Sequence, residues 1–135
     1  MAIHIHNSKN LNSTYSDVPI HLLPCKIHAD CDARVKKYFN PGIKQEENGT
    51  YTASFRGYPL RGSKLKLPQN YQGAVLHESI KPMTENEQRK FFITHKFNNF
   101  TYWNWDKMTS KNDMVQQAMD WIEIAEVLHA PIEDE

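Results

Sequence analysis

The stretch Phe55-Arg56-Gly57-Tyr58-Pro59-Leu60-Arg61-Gly62 decides the fold. Just before it, Tyr51, Ala53 and Phe55 alternate with Thr50, Thr52, Ser54 and Arg56, the period of a strand with one apolar face. Gly57 and Gly62 then punctuate the β pattern. Each supplies positive φ for a turn or room for a neighbouring group to come close. Arg56 and Arg61 offer planar five-donor forks suited to carboxylates and carbonyls. Basic residues held at turns, with no nucleophile beside them, point to assembly rather than catalysis.

The β pattern extends in both directions. Downstream, Leu60, Leu65 and Leu67 continue it through two glycine turns, Gly73 to His77 forms a short strand, and Phe91 to Phe97 is rich in β formers. Asn98-Asn99 bends the chain into Phe100-Thr101-Tyr102-Trp103-Asn104-Trp105, whose bulky groups on both faces require cover on both. Upstream, Asn48-Gly49 has the composition of a type I′ hairpin turn. Val18 to Leu23 reads as a β segment interrupted by Pro24, and Lys26 to Ala29 as a resumed one. Ser79 to Gln88 is polar and reads as a loop. At the end the period changes: Val115, Ala118, Met119, Ile122, Ala125 and Leu128 recur at helical spacing, with Ser110 and Asp113 as a capping pair. The expected organisation is a flexible arm at 1–17, within which Ile3 to His6 alternates like a strand, one mainly β domain at 18–132, and an acidic tail at 133–135.

Bulk composition narrows the function. The 135 residues suit one domain, and 39% apolar with 24% charged is ordinary for a globular chain. Lys and Arg number 16, equal to Asp and Glu, so the formal charge is zero. An autonomous nucleic-acid binder usually shows a basic excess. The 2 Cys, Cys25 and Cys31, form no secreted framework, and no apolar run approaches a membrane span; the expected setting is reducing and intracellular.

A search for chemistry finds no catalytic set. Cys25-x5-Cys31 lacks the spacing and second pair of a structural zinc site, and Cys25 after Pro24 reads as a buried small hydrophobe. Asp30-x-Asp32 has the composition of a solvated turn. No Gly-rich phosphate loop or nucleophile elbow occurs. Two rival readings remain: a small metal-dependent enzyme, and an OB-like single-strand binder in which Tyr102, Trp103 and Trp105 stack bases beside Lys96 and Lys107.

The motifs go further than composition. Leu22-Leu23-Pro24-Cys25, then Phe55-Arg56-Gly57 and Leu60-Arg61-Gly62, then Phe97, Phe100-Thr101-Tyr102-Trp103 and a closing helix with Trp121 and His129, resemble the non-catalytic C-type subunit of eukaryotic type 2 ribonuclease H. The resemblance runs over residues 18–132; residues 1–17 match nothing in it, and the 79–88 loop is shorter than the acidic insertion of many relatives. It implies a β-barrel-type subunit that contributes strands to an intertwined triple barrel with a B-type partner. It also implies a C-terminal helix against the barrel side, and a place between that partner and the catalytic A-type subunit. It further implies a nuclear heterotrimer that cleaves RNA in RNA–DNA hybrids and removes ribonucleotides embedded in DNA. Magnesium would be held by the catalytic chain, with no cofactor in this one. Leu22, Leu23, Tyr51, Phe55, Phe100, Tyr102, Trp103 and Trp121 would then fill barrel core or interface. Arg56, Gly57, Leu60, Arg61 and Gly62 would anchor turns or meet a partner.

Overall fold

The computed structural model describes residues 2–7 and 18–132. The expected 133–135 tail and most of the expected arm lie outside them. Two sheets hold the fold. The larger has the order β2-β8-β5-β4-β3, with β2 His21–Leu22, β3 Lys44–Gln45, β4 Tyr51–Phe55, β5 Tyr58–Lys66 and β8 Asn99–Trp105. The smaller has the order β1-β7-β6, with β1 Ile3–Asn7, β6 Gly73–His77 and β7 Arg89–Phe97. Two helices complete it: α1 Val35–Tyr38, continued by a 3-10 turn at Asn40–Gly42, and α2 Met114–Leu128. The alternation at Ile3 to His6 therefore becomes a strand, paired parallel to β7. Val18 to Leu23 yields only the two-residue β2, and Lys26 to Ala29 pairs with nothing among the described residues.

The fold is mainly β with a C-terminal helix, as the sequence implies. Among the described residues neither sheet closes on itself, however. β1 and β6 end one sheet, β2 and β3 the other, so each is open where a barrel would join its first and last strands.

The core sits on one face of the larger sheet. Register aligns Ala53 with Leu60, Leu60 with Trp105 and Gly62 with Trp103 across β4, β5 and β8. Trp103 is 0% exposed and Leu60 1%. Gly62 is no turn but a strand residue: a Cβ there would stand 2.6 Å from the Trp103 ring and 2.9 Å from the Tyr102 carbonyl oxygen. The absent side chain is what lets the indole lie flat across β5. Phe39, at the end of α1, caps this face, edge-on to Trp103 at 5.8 Å and to Phe55 at 6.4 Å. Leu23, Ile43, Tyr51, Ala53 and Phe55 pack around that cluster. On the opposite face of β8 lies Phe100, also buried, so the strand is covered on both sides where its bulkiest rings point.

Beyond this cluster burial is sparse. The chain exposes 11356 Å² at 15.8 kDa, against about 7,300 Å² for a compact monomer of that mass.

Candidate assembly surface

The turn that opens the deciding stretch is a two-residue hairpin. Phe55 pairs with Tyr58, and Arg56 and Gly57 between them both have positive φ, 52° and 83°. That is the type I′ geometry expected at Asn48-Gly49. There the chain makes a longer loop instead. Gly49 alone has positive φ, and the Asn48 side chain accepts from the Thr50 amide and hydroxyl. The loop is closed by Glu46 N–H donating to the Thr50 carbonyl. The Arg56 side chain is exposed at the hairpin tip. Arg61 is not at a turn. It lies within β5 on the face away from the core, beside the Asp106 carboxylate at 3.8 Å and the Met108 sulfur at 3.6 Å.

A polar relay runs over that same face. The Tyr102 hydroxyl donates to Asn104 Oδ1 at 2.8 Å, and Asn104 Nδ2 donates to Asp113 Oδ2 at 2.9 Å. The Ser110 amide donates to the same carboxylate oxygen. These bonds hold the Asp113 carboxyl below its ordinary range, the Ser110 amide first. Burial, and then the negative Asp113, push the Tyr102 hydroxyl up. Asp113 is the N-terminal cap of α2, yet its side chain bonds backwards to the approach loop rather than forwards into the helix. The expected capping pair thus becomes a tether that fixes α2 to β8.

Past that tether α2 is largely uncovered. Among the described residues no strand packs along it. Val115, Met119 and Ile122 are half-buried, while Trp121 is 65% exposed and Leu128 72%. The apolar residues span more than one helix face, wider than a single stripe.

Among the described residues no helix or strand of the larger sheet packs broadly on the smaller one, whose β7 side chains Phe91, Ile93, His95 and Phe97 are half-buried. Register puts Ile3, Ile5, Phe91, Ile93 and Leu76 on one face of that sheet, an apolar surface in which Ile3 is 56% and Ile5 58% exposed. Arg89 stands at its margin, over the Phe91 ring at 5.0 Å and bonded through Nε and Nη2 to both oxygens of Glu78, at 2.8 and 2.7 Å. This fork ties the end of β6 to the start of β7 and holds the Glu78 carboxyl low.

The remaining sequence-named residues divide clearly. Leu22 is 42% exposed on edge strand β2, and Leu23 and Tyr51 are half-buried. Cys25 is half-buried rather than buried, Cys31 is exposed, and both are free thiols. Among the described residues no three His, Cys, Asp or Glu side chains gather as a metal site. The stacking platform does not form: Trp103 is sealed in the core, and the Trp105 indole donates to the Pro24 carbonyl at 2.7 Å.

Two contributors escape a reading of the sequence. Phe39 follows a four-residue helix, too short to show a period. His21 hydrogen-bonds Trp103 and Asn40 from the sheet edge, a long-range role that no local pattern marks.

The geometry is that of a chain with a small sealed core, two open sheets and a tethered, exposed helix, which is the form of a component built for a larger complex. Residues 19–128 match the family described as ribonuclease H2 non-catalytic subunit (Ylr154p-like). This chain belongs to that family. It is 25% identical to the C subunit of ribonuclease H2 from Mus musculus and to that from Bos taurus, each alignment covering 86% of this chain and 83% of the relative. It is 34% identical to an uncharacterized protein of Schizosaccharomyces pombe, over 77% of this chain and 78% of that one. The chain is therefore a non-catalytic subunit of ribonuclease H2, acting in a complex with other ribonuclease H2 subunits.

Proposed function

We propose that this chain holds the catalytic A-type subunit of a nuclear ribonuclease H2 in working form by pairing with a B-type partner that completes its open sheets. The assembled enzyme would cleave RNA in RNA–DNA hybrids and remove ribonucleotides embedded in DNA. Magnesium would sit in the catalytic chain, with no cofactor in this one. The observation that carries this is the apolar face of the β1-β7-β6 sheet, with Ile3, Ile5 and Leu76 open to solvent. At about 25 cal/mol per Å² of apolar surface removed from water, cover from a partner strand layer stabilises both chains together. The outer edges of β6 and β3, unpaired among the described residues, supply the matching hydrogen-bond ladder. Leu22, Trp121 and Arg56, all exposed, are the sequence-named residues best placed to meet partners.

The test is expression alone and with the B-type and A-type subunits. The chain alone is expected to aggregate or to bind a hydrophobic dye without a sharp melt. Co-expression is expected to yield one complex that cleaves a hybrid in magnesium. A monodisperse, sharply melting monomer that captures neither partner would overturn the proposal.

A further inference from the structure

Asn48-Gly49 is the one Asn-Gly pair in the 135 residues, and both members lie exposed in the loop between β3 and β4. Position 49 has no side chain to screen its amide nitrogen, and a Cβ there would meet no atom within 4 Å. The Asn48 side-chain carbonyl is polarised. Its Oδ1 accepts from the Thr50 amide at 3.1 Å and from the Thr50 hydroxyl at 2.6 Å. Two donors on one amide oxygen draw charge from Cγ and stand where an oxyanion would develop if a nucleophile added to it. The Gly49 amide nitrogen is next in the chain, and its closure on Cγ makes a five-membered ring. One turn bond, to the Glu46 carbonyl at 3.0 Å, restrains that N–H. Residues 46–49 are all exposed, so opening this turn costs little. Other asparagines lack the combination: Asn40 precedes a proline, which has no N–H, and Asn99 and Asn104 lie within β8.

We propose that Asn48 is a self-modification site: the Gly49 nitrogen attacks Asn48 Cγ with Thr50 assisting, and the product unclamps edge strand β3. Hydroxide takes the Gly49 amide proton, the N–Cγ bond forms, and the Cγ–Nδ2 bond breaks as ammonia leaves with a proton from water. Water then opens the cyclic imide. Opening at Cγ gives aspartate; opening at the main-chain carbonyl gives isoaspartate, with the chain running through Cγ. The balance is one water in and one ammonia out, with no oxidant and no second protein. Aspartate adds a third carboxylate directly after Glu46 and Glu47. Isoaspartate inserts a methylene into the main chain and makes the former Oδ1 a peptide oxygen, so Thr50 loses its side-chain acceptor. β3 has little else to hold it. It is two residues long, paired through Lys44 with Thr52 and Gln45 with Tyr51, and the Glu46 amide closes the loop on the Thr50 carbonyl at 2.8 Å. The chemistry stands apart from the proposed assembly; only its consequence for a partner strand on the β3 edge rests on that reading.

The test warms the freshly assembled complex at mildly alkaline pH and follows it by peptide mass mapping, with enzymatic methylation to detect isoaspartate. Asn48 is expected to convert from amide to acid ahead of the other asparagines of this chain, at a rate that rises with hydroxide. Thr50→Val keeps the side-chain shape and removes the hydroxyl. It should react about fivefold more slowly, the loss of one neutral hydrogen bond to the developing oxyanion. Thr50→Ser keeps the donor and should react as wild type. Amide hydrogen exchange over residues 44–52 should quicken in the aged complex, while the strand that carries Trp103 keeps its protection. Asn48 left intact, conversion spread over other asparagines without preference, or equal rates in Thr50→Val and wild type would overturn the site. Complete conversion with unchanged exchange over residues 44–52 would overturn the effect on β3. Failure of the fresh wild-type chain to form the complex is a different result and counts against the proposed function instead.

Discussion

The indole N–H of Trp103 donates to Nδ1 of His21 across 3.1 Å, and this one bond fixes the charge state of the imidazole. A Trp indole nitrogen only donates, so Nδ1 must be unprotonated. The proton therefore sits on Nε2, which donates to Asn40 Oδ1 at 3.2 Å. Protonation would break the bond to Trp103 and place a charge beside the only wholly buried tryptophan among the described residues.

Acid sensitivity follows. Burial holds the His21 pKa below the usual 6.5, partly offset by the Asn40 bond. The unfolded chain thus takes up this proton first as pH falls, and stability drops with it. The contribution is complete above about pH 6.5 and is lost as pH falls through the lower folded value. Urea midpoints of the assembled complex are expected to decline over that window. His21→Phe should remove that step, at a cost of about 1–3 kcal/mol for the unpaired indole N–H. Identical pH profiles for both proteins would refute this role.

Gly62→Ala should be costly although alanine suits a strand better than glycine. The new Cβ would meet the Trp103 ring and the Tyr102 carbonyl within 3 Å, and neither is a flexible tip. Overpacking of this kind costs about 1–3 kcal/mol. The measurement is the urea midpoint of the complex, and an unchanged value would mean that the indole can slide off β5.

At the hairpin tip, opposite substitutions should move stability in opposite directions. Arg56 bears the left-handed penalty of a side chain at φ 52°, and asparagine tolerates that conformation better. Arg56→Asn is expected to raise the melting temperature and Gly57→Val to lower it by more than the equivalent of about 1 kcal/mol. Should Arg56→Asn also weaken capture of the partner subunits, the arginine is kept for contact rather than for the turn.

Much of this fold is legible in the sequence, for identifiable reasons. β4, β6 and the β7–β8 pair emerge because alternation and Asn98-Asn99 punctuation are local signals. The two-sided cover of β8 is legible from Phe100 and Trp103 alone. Composition assigns the hairpin turn to the better dipeptide, Asn48-Gly49, but register with β5 places the tight turn at Arg56-Gly57. Gly62 looks like a turn because sequence does not show which residue lies across a sheet. Phe39 and His21 escape notice since each acts through a long-range contact. The exposed length of α2 is hidden for a further reason: an apolar period shows that a face needs cover, but not which chain covers it.

That last point gives the sharpest contrast between folding and assembly. Leu60 is 1% exposed and Trp121 65%, yet both are large apolar residues in the matched family region. Leu60→Ala should cost about 2–5 kcal/mol through lost burial and a cavity under Trp103, and the chain should fail to accumulate even with partners present. Trp121→Ala removes nothing from the sealed core, so secondary structure by circular dichroism should be retained. Its effect should fall on binding, where an exposed tryptophan that becomes buried commonly carries about 2 kcal/mol or more, near thirtyfold in affinity. Ile5→Lys is expected to behave like Trp121→Ala, from the sheet rather than the helix. If Trp121→Ala instead unfolded the chain while leaving affinity intact, α2 would be an internal support of this chain and the apolar helix face would need no partner.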